Sequence, residues 1–246
     1  MAASASSRLP RSQMAIASVI LCLLVAALLL IFFYAPTEAT MGDVQRILYL
    51  HVSVAWCGLL GCLGMGTCGA LYLLRRRLEW DHWSQAAAEA GWLCATLTLV
   101  TGSFWAHEAW GVWWTWEPRL TASLVLWLIF AGIFLVRGGI EDPQRRARIG
   151  GVLAILAVAD IPLVVMATRW FRGMHPVAPE MDPRMRLVLL STLVSVTAFF
   201  VFVVSQRRRQ LELSERVAAL EAQRTDQESW IVDRGPWTVH KQKKSA

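Results

Sequence analysis

The chain has 246 residues, of which 56% are hydrophobic and only 17% charged. That balance, with apolar residues gathered in runs, excludes an ordinary soluble domain. A net charge of +6 does not indicate nucleic acid, because the basic residues cluster between the apolar runs, as in polytopic membrane proteins.

In chain order, residues 1–13 are small and polar, with Arg8 and Arg11. The run from about Met14 to Tyr34 exceeds the apolar core of a signal peptide and has the roughly twenty residues of a bilayer span. It reads as an uncleaved first helix. A short loop, residues 35–46, leads to a second span from about Ile47 to Leu74, closed by Arg75-Arg76-Arg77. His51 lies near its start. The third span covers about Ala86 to Trp105, and a Trp-rich external loop follows at about 107–119. The fourth runs from about Leu120 to Val136. A polar loop holding Arg137, Arg145, Arg146 and Arg148 precedes the fifth span, about Gly150 to Thr168. The next loop carries Arg169, Arg172, His175, Pro176 and Pro179. The sixth span, about Leu187 to Val204, stops at Arg207-Arg208-Arg209. Within the tail, 206–246, Leu213, Val217 and Leu220 recur at helical spacing, so its first part extends the sixth helix. The expected fold is an all-α integral membrane protein with a six-helix domain over 14–205 and no internal repeat.

Positive charge orients it. Eighteen Lys and Arg fall on the side of the amino terminus and six on the other, and the two short inner loops hold seven arginines. Both termini are therefore expected in the cytoplasm. Whatever the orientation, the loops after spans one, three and five share a side. His51, the Trp-rich run and His175 all border those loops. His82 and His240 fall on the opposite side.

The five cysteines lie inside apolar runs without a C-x-x-C pair and read as buried small hydrophobes. No phosphate-binding G-x-x-x-x-G-K-[ST] loop is present, so the chain does not itself hydrolyse ATP. Asp160 is the one acid deep inside a span, two residues before Pro162. It suits either a structural hydrogen bond beside a proline break or a proton relay.

The densest feature is Trp110-Gly-Val-Trp-Trp-Thr-Trp-Glu-Pro-Arg-Leu-Thr121, with four of the 13 tryptophans in twelve residues. Indoles gather at membrane interfaces, but an aromatic belt does not account for this local density. Trp110, Trp113 and Trp114 are expected to form one flat indole surface, rimmed by Glu117 and Arg119. Such a platform suits a flat, apolar ligand that carries carboxylates.

This run resembles the tryptophan-rich signature of membrane proteins that handle haem in cytochrome c biogenesis. Within them it most resembles the cytochrome c maturation protein C, or haem exporter protein C, family. The likeness extends over most of residues 14–205. The family usually has Asp where Glu117 stands, a second Trp at Phe171, and Leu-His-Gln where this chain has Met174-His175-Pro176. The resemblance implies a b-type haem, transiently bound on the periplasmic side of the bacterial inner membrane, with iron ligated by His51 and His175. Trp110, Trp113, Trp114 and Trp116, with Glu117, would hold the macrocycle, and Arg119 and Arg172 its propionates, since a guanidinium binds a carboxylate bidentately. His107, beside the Trp run, is the rival to His175. The implied role is haem delivery, not catalysis, although assistance in covalent haem attachment stays open. The implied partners are a periplasmic haem chaperone, ABC-type transporter subunits, a small membrane subunit and the lipid bilayer, with no nucleic acid. Two other classes compete. A bis-His cytochrome b-type electron carrier places its ligand pairs within facing spans. A secondary transporter needs paired broken helices at mid-membrane, of which only Asp160–Pro162 is an example.

Overall fold

The computed structural model describes residues 10–171 and 181–233. Helix α1, Arg11–Leu29, widens into a π-helical turn over Leu30–Tyr34. A 3-10 turn, Asp43–Gln45, feeds α2, Arg46–Arg75. Then come α3, Leu78–Trp110; α4, Pro118–Gly138; α5, Pro143–Val158; α6, Asp160–Trp170; and α7, Pro183–Asp233. The described residues are mostly helical, without a named strand among them.

Five segments are long and apolar enough to cross a membrane: 11–34, 43–75, 118–138, 143–167 and part of 183–230. The chain is a multi-pass membrane protein. The expected third span is present as α3, which has the length but is not among the five. Packing explains its composition. Helix α3 lies against α2, α4, α5 and α7, so Asp81, Ser84 and a file of alanines (Ala86, Ala87, Ala88, Ala90) are buried against protein rather than exposed to lipid. Polar residues inside a bundle need only a protein partner.

Backbone contact sets the α2–α3 crossing. A Cβ added to Gly61 would collide with the Gly91 Cα, and Gly69 meets Gly151 on α5 in the same manner, at 3.1 Å. In lipid there is no hydrophobic drive between helices, so small residues that permit close van der Waals packing hold the bundle together.

Helix ends follow local chemistry. Gly111, at φ 74°, takes the left-handed conformation that ends α3 and turns the chain into the 111–117 loop. Thus α3 runs through the first residue of the Trp-rich stretch, further than its apolar pattern alone suggests. Pro118 starts α4, where a missing N–H costs nothing. Asp142 caps α5 by accepting from the Arg145 N–H at 2.6 Å. Pro162 cannot donate to the carbonyl of Val158, and the fifth span is interrupted at Ala159. Asp160, at this break, is buried. In the loop after α1, Glu38 accepts from the backbone N–H groups of Met41 and Thr40, and these bonds hold its carboxyl below the usual range.

Where α2 ends and α3 begins, the helices are tied by charge. Arg137 of α4 forms a bidentate pair with Asp81 of α3. Arg207 of α7 meets Glu89, and His82 meets Glu215 at 2.9 Å. Arg137, counted above as a loop arginine, is therefore a buried residue of the bundle.

Candidate functional site

At the opposite end of the bundle, α2 begins, α3 finishes and α4 starts. Between them lies a cleft that encloses about 100 Å³ and reaches about 870 Å³ with its open mouth included. It is lined by His51 of α2, Trp105 and Trp110 of α3, Trp114 of the loop and Arg119 of α4. Buried Leu126 and Val164 close it on the side of the bundle core.

The lining forms an aromatic file. The His51 ring is 6.1 Å from Trp105, which is 5.6 Å from Trp110. His51 is buried, and its Nδ1 lies 2.9 Å from Thr101 Oγ1. Gly102 faces the same ring, so that a Cβ there would stand 3.0 Å from His51 Cε1. Trp114 is turned inward enough to bury its indole N–H, which finds no acceptor among the described residues. A buried donor without an acceptor costs free energy unless a ligand supplies one. With Arg119 nearby, the cleft offers one imidazole, flat apolar walls and donors for an anion.

The expected site residues divide. His51, Trp110, Trp114 and Arg119 come together in the cleft. Trp113 and Trp116 stand outside it, 53% and 75% exposed. Trp113 packs edge-on against Phe104 and stacks with His107 at 4.1 Å. The single indole surface of 110, 113 and 114 is thus not formed, because the irregular loop after Gly111 sets Trp113 against His107 while Trp110 and Trp114 line the cleft. Glu117 precedes the first turn of α4 and does not line the cleft. His107 is half-exposed, has its Nδ1 3.2 Å from Glu108, and faces Trp113 rather than the cleft. His175 and Arg172 lie outside the described residues, as does His240.

Thr101, Gly102 and Trp105 were not anticipated as site residues. The available signal was Thr101-Gly102-Ser103, a small and polar run inside an apolar stretch. Among the described residues no three His, Cys, Asp or Glu side chains converge as a site for a bare metal ion. A porphyrin brings four donors of its own and asks the protein only for axial ones, so the lack of such a cluster does not count against a macrocycle.

Residues 3–223 match the family model described as heme exporter protein C. Among similar proteins, the heme exporter protein C of Bradyrhizobium diazoefficiens is 30% identical over 196 residues, covering 76% of this chain and 74% of that protein. The Escherichia coli K12 protein of the same name is 29% identical over 188 residues, 74% of this chain and 76% of its own length. That of Rhodobacter capsulatus is 32% identical over 145 residues, 58% of this chain and 60% of its own.

Proposed function

Because this chain belongs to the heme exporter protein C family, we propose that its cleft receives haem as cargo at the periplasmic face of the bacterial inner membrane and presents it to a periplasmic haem chaperone. The observation that carries this reading is the convergence of His51, Trp110, Trp114 and Arg119, from three helices and a loop, on one cleft. Haem is a flat apolar plate with two carboxylates and an iron open at its axial positions. Trp110 and Trp114 offer faces to the plate. Arg119 and the Trp114 N–H offer donors to the propionates, joined by Arg172. His51 and His175 serve as the axial ligands of a b-type, non-covalently held haem. Trp113, Trp116 and Glu117 form the outer rim that a chaperone meets. The partners in this reading are ABC-type transporter subunits and a small membrane subunit, and the chain's part is delivery rather than catalysis. A cytochrome b-type electron carrier gains no support, since His82 is at the other end of the bundle and His107 is stacked on Trp113.

Two experiments test the reading. The protein purified in detergent should show a haem absorption band. Trp110→Ala with Trp114→Ala should lower haem retention about tenfold, since each aromatic contact contributes roughly 0.5–1.5 kcal/mol beyond area burial. Trp113→Ala, which removes a ring stacked on His107 outside the cleft, should leave retention within about twofold. A loss from Trp113→Ala equal to that from the cleft pair would mean the cleft is not the binding site.

The second concerns sidedness. Both termini are cytoplasmic in this reading, as the arginine asymmetry favours. Reporter fusions at residues 40, 112 and 178 should therefore read periplasmic, and fusions at 79 and 143 cytoplasmic. A cytoplasmic signal at 112 would put the cleft on the wrong side for a periplasmic acceptor.

A further inference from the structure

A neutral imidazole can offer a metal only the nitrogen that lacks a proton, and the partner of the other nitrogen decides which that is. His51 Nδ1 is 2.9 Å from Thr101 Oγ1. The same hydroxyl donates to the Leu97 carbonyl one turn back on α3, at 2.7 Å. A threonine hydroxyl has one proton and two lone pairs. With the proton directed to the shorter contact, the oxygen that faces His51 can only accept. The ring is also seated from the other side of the same turn. Gly102 leaves room for His51 Cε1, and any side chain at 102 would press on it from 3.0 Å.

We propose that Thr101 is a positioning residue for His51: its hydroxyl accepts from Nδ1–H and fixes the tautomer in which Nε2 is the unprotonated nitrogen, the one that ligates the cargo iron in the haem-delivery reading, while Gly102 provides the seat for the ring. The inference rests on the haem-delivery reading only for the identity of the metal; the tautomer is a property of the protein without haem. Thr101 touches no cargo and acts through the histidine. Its contribution is directional, because an imidazole held in one tautomer and one orientation does not have to be reorganised when iron arrives.

The test has an arm without haem and an arm with it. In the first, the haem-free protein with 15N-labelled histidine is studied in detergent at a pH where imidazole is neutral, and the His51 signals are assigned by their loss in His51→Ala. His51 should show a protonated Nδ1 and an unprotonated Nε2, and Thr101→Val should convert this to a mixture. A protonated Nε2 in the unmodified protein would overturn the proposal. In the second arm, iron protoporphyrin is added. Thr101→Val, which keeps the shape and removes the hydroxyl, should weaken retention about 10–100-fold, the usual loss when a residue that orients a metal-bound histidine is removed. It should also shift the haem midpoint potential, which a purely structural role would not move. Thr101→Ser, which restores the hydroxyl, should recover both. Retention and potential unchanged in Thr101→Val would overturn the proposal. His51→Ala with an unchanged haem spectrum would instead remove the ligand reading beneath it, and the haem-free arm tells these failures apart.

Discussion

Replacing His51 by alanine should convert the spectrum of bound haem from six-coordinate low-spin toward five-coordinate, and added imidazole should restore the low-spin form. An axial bond is directional and specific to one nitrogen, so its loss alters band position as well as occupancy. Retention should fall by more than the ~10–100-fold that accompanies loss of a residue that only orients a ligand. The rescue follows from the cleft: removal of the imidazole leaves space beside Gly102 and Trp105, where a free imidazole fits the same wall. His107→Ala is the matched control. Its ring lies on Trp113 at 4.1 Å and does not line the cleft, so its removal should leave the haem spectrum unchanged. Conversion by His107→Ala and none by His51→Ala would mean that the ligand comes from the outer face of the Trp loop, and the cleft would then lose its assignment.

The helical fold was legible because a bilayer demands long apolar runs, and those runs stand out in α1, α2, α4 and α7 whatever their packing. Helix α3 was harder to read. Its polar residues are tolerated because neighbouring helices surround it, and burial by protein leaves no apolar signature. The Trp-rich run marked a candidate site by density alone. Which indoles face inward was hidden, since residues 111–117 follow neither helical nor strand periodicity after Gly111 turns the chain. The sidedness argument, which placed His51 and the Trp run at one face, needed only a count of spans. Their closeness does follow from the structure: His51 is joined to Trp110 through Trp105. Thr101 escaped notice because a lone hydroxyl in an apolar helix usually bonds its own backbone, and it does so here while also meeting His51. Arg137 escaped for another reason. Beside Arg145, Arg146 and Arg148 it reads as one more cytoplasmic arginine, and its partner lies 56 residues earlier in the chain.

That pair supplies the largest expected effect on stability. Arg137 donates from Nη1 and Nη2 to the two carboxylate oxygens of Asp81 at 2.8 and 2.9 Å, and Nη2 also reaches Gln85 Oε1 at 3.0 Å. Both side chains are nearly sealed, at 8% and 5% exposure. Their positions are favourable in a second respect, as Asp81 is in the first turn of α3 and Arg137 in the last turn of α4, each matching the helix dipole. Helix α5 completes the enclosure at Gly150, where a Cβ would run into Arg137 Nη1. Arg137→Met should therefore destabilise the protein by about 3–5 kcal/mol, because it leaves the Asp81 carboxylate buried without its cation. Asp81→Asn should cost a comparable amount for the converse reason. The double variant Asp81→Leu with Arg137→Met removes both charges, and well-packed apolar replacements of a buried pair are often neutral or stabilising by about 1–4 kcal/mol. It should recover most of the loss, so the two substitutions should be strongly non-additive in thermal unfolding measured in detergent. Gly150→Ala should resemble Arg137→Met in direction, since its methyl group displaces the guanidinium from the carboxylate. Haem spectra of the surviving folded fraction should be unchanged in every case, because the pair and the cleft lie at opposite ends of the bundle. Additive costs for Asp81 and Arg137, or a single-variant loss below about 1 kcal/mol, would show that water reaches the pair and that the three helices do not depend on it.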